Sequence, residues 1–192
     1  QYLGEHPEIF VPKVKERHYF SNPQVRDNYY SVETIRTLGE YEAQYIDAST
    51  ERWLGDFSPS YLYSEHAAER IAKFDPNSRI IIILREPVDR AVSHYLMDLR
   101  LGIHRKPLSD CVTDIPENRL FRKEYIEMGE YAPQVKRYLN VFDKKQIHIA
   151  LYDDLRDNCN SFLTAIYNFL EIDFVNTQRM REKHNAYRMP RN

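Results

Sequence analysis

An uninterrupted run of apolar residues, four isoleucines and a leucine at positions 80–84, contains no polar position. Strands with one face in water alternate apolar and polar residues, whereas strands of a parallel sheet covered on both faces do not. The run therefore predicts a buried strand of a parallel sheet. Arg85, Glu86 and Pro87 follow it directly, and proline suits the first turn of a helix because its fixed φ is already helical. We thus predict a strand that ends at Leu84 and a helix that begins at Pro87.

Apolar side chains in that predicted helix recur at helical spacing. They form one stripe: Val88, Ala91, Val92, Tyr95, Leu96 and Leu99. The i, i+3, i+4 spacing predicts a helix that packs this stripe on the sheet. Gly102 stands where such a helix should end.

Similar patterns predict strands and helices on both sides of this unit. Upstream we expect a strand over residues 53–57 and a helix over 64–74 that is capped by Ser64. Downstream we expect an irregular segment over 104–117, then helix, strand and helix within 131–142, 146–155 and 160–172. This alternation predicts an α/β fold in three layers, with a central parallel sheet flanked by helices.

Composition and charge narrow the class of protein. The chain has 192 residues and 42% hydrophobic residues, which suits a single globular domain. A formal charge of −2 gives no global electrostatic case for nucleic-acid binding. The five-residue apolar run is too short to cross a bilayer, so we expect no membrane span and a cytoplasmic protein, or a Golgi-lumenal one if the source is eukaryotic. Two cysteines do not decide the redox compartment, although we expect free thiols.

A local anion site is predicted where the apolar strand ends. Ligands of open parallel sheets bind outside the carboxyl ends of the strands, and Arg85 lies at such an end. The first amides of the following helix add positive potential. Ser93 follows Arg85 by eight residues and lies off the apolar stripe, so its hydroxyl can join the guanidinium on one phosphate. The alternative is that Arg85 pairs with Glu86 or Asp89 and Ser93 is a surface residue.

The segment LREPVDRAVSHY resembles the 3′-phosphate-binding motif of sulfotransferases that use 3′-phosphoadenosine 5′-phosphosulfate (PAPS). In that family a strand-end arginine and a serine eight residues on hold the 3′-phosphate, which implies these roles for Arg85 and Ser93. HPEIFVPKVKERHYF, GDFSPSYL and GEYAPQVKRYLNVFDKKQIHIALYDDLRDN resemble further segments of heparan-sulfate-type and bacterial members, in the same order. The resemblance implies a P-loop-NTPase-like fold, PAPS as co-substrate and no obligatory metal. No spacing of His, Cys or carboxylate residues here is typical of a metal site.

The resemblance and the chemistry of nearby side chains together give a set of candidate site residues. Glu16 matches the position of the general base in heparan-type members. His18 is a second candidate base or orients Glu16, and Lys15 can neutralise charge on the transferring group. The remaining candidates are Asp56, Ser58 and Tyr61 for the acceptor and Arg191 for the donor. Their alternatives are a turn cap for Asp56, a core or rim position for Tyr61 and an unordered basic terminus for Arg191. The alternative for Glu16 is an ion pair with Lys13, Lys15 or Arg17 on a solvated strip.

Two parts of the family pattern are absent. Members carry a loop with Lys and Gly followed by Thr or Ser, which holds the 5′-phosphosulfate; we expect that loop and the first strand to precede Gln1. Some glycan-acting relatives carry a lysine just before the Ser-Pro of the third segment, where this chain has Phe57.

These features predict a sulfotransferase that acts on a hydroxyl or amine of an acceptor, most simply a sugar. One alternative is a P-loop kinase or NTPase, which would need an aspartate for magnesium near a strand end, where this chain has Arg85. The other is a degenerate nucleotide-binding module without catalysis.

Overall fold

Four short strands form two parallel pairs in the structure, a computed structural model that describes residues 2–21 and 35–176. Strand β1 (Ile9–Phe10) pairs with β2 (Trp53–Leu54). Strand β3 (Ile80–Leu84) pairs with β4 (Ile147–Leu151), in a register that sets Leu84 beside Leu151. The described part of the chain thus has an α/β fold with short parallel sheets.

Helices connect and cover these strands. The α-helices are α1 (Leu38–Glu42), α2 (Ser60–Tyr63), α3 (Ala67–Phe74), α4 (Pro87–Leu101), α5 (Leu108–Cys111), α6 (Arg119–Tyr125), α7 (Tyr131–Val141), α8 (Tyr152–Asp157) and α9 (Cys159–Leu170). Single 3₁₀ turns occupy Leu3–Glu5, Ala43–Tyr45, Pro116–Asn118, Glu127–Gly129 and Lys144–Gln146. Within these described residues no helix is both long enough and apolar enough to cross a membrane.

Strand β3 and helix α4 have the predicted bounds. Glu86 caps α4, because its carboxylate accepts a hydrogen bond of 2.7 Å from the Asp89 amide. Gly102 ends the helix with a φ of 72°, and the Ile103 amide donates to the Asp98 carbonyl. The Gly102 amide donates to the Leu99 carbonyl, and these two C-terminal bonds with the left-handed glycine form the common helix stop.

Several predicted elements differ from the observed ones. The strand predicted over 53–57 stops at Leu54, because its partner β1 ends at Phe10, which pairs with Leu54. Ser64 is buried and ends α2 through a bond from its amide to the Ser60 carbonyl, so it does not cap α3. The segment predicted to be irregular contains α5.

Apolar residues of β3 face helices on both sides of the strand. Ile82 packs in a cluster with Ala68 of α3 and Tyr138 of α7. Its neighbour Ile81 packs against the cluster built on α9, which also holds Ile9 of β1. Helix α9 therefore contacts both strand pairs.

Helix α4 does not pack its whole apolar stripe on a sheet. Ala91 and Tyr95 lie in a cluster with Cys111 and Tyr125, from α5 and α6. Val88 remains 66% exposed. The unpredicted helix α6 supplies the packing partner, and the predicted contact of the stripe with the sheet is wrong for this reason.

Candidate active site

An open cleft lies where the chain leaves β1 and β2. Residues 14–17 form one wall and residues 55–57 the other, while Tyr41 and Tyr45 add an aromatic side. Residues 55–57 directly follow β2 and residues 14–17 lie a few residues beyond β1, so both walls are on the carboxyl side of parallel strands, the usual place for ligands in such sheets. Glu16, Lys15 and Asp56 of the predicted site all line this cleft.

Glu16 is held in the cleft wall by its backbone. Its amide donates to the Phe57 carbonyl at 3.0 Å, and its φ of 58° lies in the left-handed region. A residue with a side chain is strained there, and such strain concentrates at functional sites. The side chain is exposed and forms no ion pair with any described residue, while Lys13 pairs with Asp47. The carboxylate is therefore available to a ligand.

Lys15 lies on the same wall as Glu16 and extends toward Phe57 on the other wall. Its Nζ lies 5.9 Å from the centroid of the Phe57 ring. This distance is at the outer limit of a cation–π contact. The ammonium thus lies beside the position at which some relatives carry a lysine.

His18 lies behind the wall and does not line the cleft. Its side chain is fully buried, its Nδ1 is 2.7 Å from the Ser60 hydroxyl, and its amide donates to the Ser58 hydroxyl. Burial lowers the pKa of His18 to about 4. The imidazole is therefore neutral at pH 7 and anchors the segment that carries Glu16.

Asp56 is the polar centre of the second wall. Ser58 and Tyr61 donate hydrogen bonds of 3.0 and 2.7 Å to its two carboxylate oxygens. Burial raises the pKa of Asp56, and the two hydroxyl hydrogen bonds oppose that rise. Ser58 and Tyr61 are buried behind Asp56, so the structure brings the three predicted residues together but exposes only the carboxylate to the cleft.

Arg85 lies at the carboxyl end of β3, as predicted. Its guanidinium carbon is 5.2 Å from the ring centroid of Tyr152, and it forms no ion pair among residues 2–21 and 35–176. Neither Glu86 nor Asp89 forms the predicted alternative ion pair with Arg85, and Glu86 uses its carboxylate on the helix end. The same cap occupies the Asp89 amide, so the helix contributes less to an anion site than the sequence suggests.

Of the other two donor-site candidates, the structure describes only Ser93. Ser93 is exposed on α4, where no described residue forms a hydrogen bond with its hydroxyl. Arg191 lies outside the described residues.

Sequence reasoning missed two features of the site. Tyr41 and Tyr45 line the cleft, and only their spacing of four residues on a short helical segment hints that they share a face. Tyr152 meets Arg85 because each directly follows a strand, and the register of those strands sets positions 84 and 151 side by side.

A cluster with metal-ligand chemistry, which the sequence did not reveal, lies on α4 and α6. Ligand atoms of His94, Asp98 and Glu124 all lie within 4.8 Å of one another. Tyr125 donates a 2.6 Å hydrogen bond to Asp98, and His104 lies 2.9 Å from the Tyr125 hydroxyl. These contacts describe a buried hydrogen-bonded network between the helices.

A family model described as a sulfotransferase domain matches residues 8–189. Among curated proteins, the mouse heparan sulfate glucosamine 3-O-sulfotransferase 5 is 26% identical over 176 residues, which cover 88% of this chain and 48% of that protein. The membrane-associated sulfotransferase kil1 of Dictyostelium discoideum is 30% identical over 94 residues, which cover 49% of this chain and 18% of that protein. The chain thus spans less than half the length of these relatives.

A solved sulfotransferase from Alicyclobacillus acidocaldarius has a similar structure. It superposes with a TM-score of 0.82 at 30% identity, over 96% of this chain and 80% of the other. The similarity therefore extends over nearly the whole of this chain.

Proposed function

Since the chain belongs to the sulfotransferase domain family, we propose that it transfers a sulfuryl group from PAPS to a hydroxyl or amine of a carbohydrate. The main support for the proposal is the position of Arg85 at the end of β3, where no described carboxylate forms an ion pair with it. The names of relatives such as the heparan sulfate 3-O-sulfotransferase support a sugar as acceptor. The aromatic side of the cleft, Tyr41 and Tyr45, also suits a sugar ring.

The donor site that we propose uses Arg85 and Ser93 for the 3′-phosphate, with Arg191 as a further phosphate contact. An arginine suits this role because its planar fork matches two phosphate oxygens. The exposed Ser93 hydroxyl on α4 can donate to the same group. We expect no metal to take part, because the guanidinium supplies the positive charge.

In the proposed reaction an acceptor oxygen attacks the sulfur of PAPS in line with the bond to the phosphate. The new S–O bond forms as the bond to the leaving phosphate breaks. Glu16 takes the acceptor proton, and Lys15 stabilises negative charge on the sulfuryl oxygens. Asp56 holds an acceptor hydroxyl, supported by Ser58 and Tyr61. His18 keeps Glu16 in place from behind. As the second candidate base it would first have to turn toward the cleft, because its side chain is fully buried.

We further propose the three-layer, P-loop-NTPase-like arrangement for the whole domain, with a strand and a phosphosulfate-binding loop that precede Gln1. Helices on both sides of β3 support the layers. Ile83 and Leu151 are 47% and 51% exposed although they belong to the longer strand pair, which suits a further covering segment. The free thiols of Cys111 and Cys159 are compatible with a cytoplasmic location, and the Golgi lumen is the alternative.

Calorimetric titration with adenosine 3′,5′-bisphosphate, the desulfonated donor, tests the proposal. We expect binding in the presence of EDTA, and a loss of about a hundredfold in affinity for Arg85→Ala, because a charge-assisted contact is removed. Lys73→Ala, at an exposed cation on α3, is the control. Unchanged affinity in Arg85→Ala would refute the donor site. Binding or turnover that requires magnesium would instead favour a kinase or NTPase, and binding without any sulfuryl transfer would favour a degenerate module.

A further inference from the structure

Arg85 rests against the ring of Tyr152. The ring centroid lies 5.2 Å from the guanidinium carbon, within the range of a cation–π interaction. Tyr152 is the first residue of α8 and directly follows β4, just as Arg85 directly follows β3. Because Leu84 and Leu151 pair in register, the two residues leave the sheet side by side.

Three carboxylates close to this pair along the chain, those of Glu86, Asp153 and Asp157, have other partners. Glu86 accepts from the Asp89 amide at 2.7 Å. Asp153, the residue after Tyr152, forms an ion pair of 2.7 Å with Arg156, and Asp157 lies 3.0 Å from the same guanidinium. The nearby acids are thus held by the helix end and by Arg156. Arg85 keeps its positive charge available and rests on an aromatic ring.

We propose that Tyr152 is a positioning residue that holds the Arg85 guanidinium for the 3′-phosphate and so sets selectivity for a 3′-phosphorylated nucleotide. A long arginine side chain loses rotamer freedom when it binds a phosphate. The ring limits that freedom beforehand, and it covers one face of the guanidinium while the N–H groups at its edge remain free to donate. This inference rests on the proposed function and adds a role that the family resemblance does not supply.

The test compares two nucleotides across variants of Tyr152, Tyr63 and Arg85. Adenosine 3′,5′-bisphosphate carries the 3′-phosphate, and adenosine 5′-phosphate lacks it. For Tyr152→Leu we expect between about three- and thirtyfold weaker binding of the bisphosphate, the range of a partly desolvated cation–π contact. We expect unchanged binding of the monophosphate. Tyr152→Phe keeps the ring and should bind both nucleotides as the unsubstituted protein does.

Tyr63 offers a matched control, since its ring centroid lies 5.2 Å from the ammonium of Lys123. Tyr63→Leu removes a cation–π contact of the same distance at a site with no proposed ligand, and nucleotide affinity should not change. Tyr152→Met is the second variant if Tyr152→Leu does not fold. The double variant Arg85→Ala, Tyr152→Leu should bind the bisphosphate no more weakly than Arg85→Ala alone, because the ring acts through the guanidinium.

The outcomes separate the two proposals. If Arg85→Ala leaves bisphosphate binding unchanged, the donor site itself is wrong. If Arg85→Ala weakens binding and Tyr152→Leu does not, the donor site stands and the role of Tyr152 is wrong. Equal losses for both nucleotides in Tyr152→Leu, or full additivity in the double variant, would also refute it.

Discussion

Glu16 combines three properties at the scale of a single residue. It lines the cleft, it forms no ion pair with any residue in the described ranges, and it has a positive φ that an ordinary side chain avoids. The backbone bond to Phe57 and the buried contacts of His18 hold that conformation. The strained backbone at Glu16 therefore lowers the stability of the fold, and it holds one carboxylate at the cleft, which is the arrangement that a positioned base requires.

We predict that Glu16→Gln lowers turnover by roughly two to four orders of magnitude, the range of a general base, and leaves donor affinity unchanged. The amide keeps the size of the side chain but cannot accept the acceptor proton. Steady-state kinetics and bisphosphate titration of the same preparation measure the two effects. Glu69→Gln, at an exposed carboxylate on α3, is the control. Normal turnover in Glu16→Gln would transfer the role of base to another group, of which His18 is the first candidate.

At the scale of elements, the end of α4 provides a prediction about stability. Gly102 has a φ of 72°, and a Cβ there would meet no atom within 4 Å. Gly102→Ala should therefore lower the free energy of unfolding by about 1 kcal/mol through backbone strain alone. Gly39 in α1 also has open space but no positive φ, so Gly39→Ala should stabilise the protein by about 0.5 kcal/mol. Urea unfolding of the two variants checks the opposite signs, and stabilisation by Gly102→Ala would contradict the left-handed helix end.

Elements with strong local signals could be predicted from the sequence, and elements that depend on packing could not. Strand β3 and helix α4 have an unbroken apolar run, a proline at the start and a glycine at the stop. Helix α6 is only seven residues long, and a helix of that length is stable through tertiary contacts, here with α4. The positive φ of Glu16 has no sequence signal, since neither it nor its neighbours are glycine.

At the scale of the molecule, the candidate site residues share one topological property. The cleft walls follow β1 and β2, and Arg85 and Tyr152 follow β3 and β4, so each lies just beyond the carboxyl end of a parallel strand. The amides and carbonyls at such ends are no longer used by the ladder, and side chains there can turn toward a ligand. The proposed base Glu16 and the proposed phosphate-binding Arg85 thus follow strands of different pairs.

The stability of the whole molecule should fall in mild acid because of His18. Its pKa is about 4 in the folded protein against an ordinary 6.5, so below pH 6.5 the unfolded chain takes up a proton that the folded chain does not. Stability from this group is fully present above pH 6.5 and is lost as the pH falls toward 4, with a limiting slope of about 1.4 kcal/mol per pH unit and a total of about 3 kcal/mol.

His18→Gln can keep a bond to Ser60 but does not titrate. Unfolding free energies from urea titrations at several pH values should therefore decline less steeply for His18→Gln than for the unsubstituted protein, whereas His66→Gln, at an exposed histidine, should follow the unsubstituted curve. Parallel curves for the His18 variant and the unsubstituted protein would mean that the imidazole is not held neutral by burial, and the segment that carries Glu16 would then need another anchor.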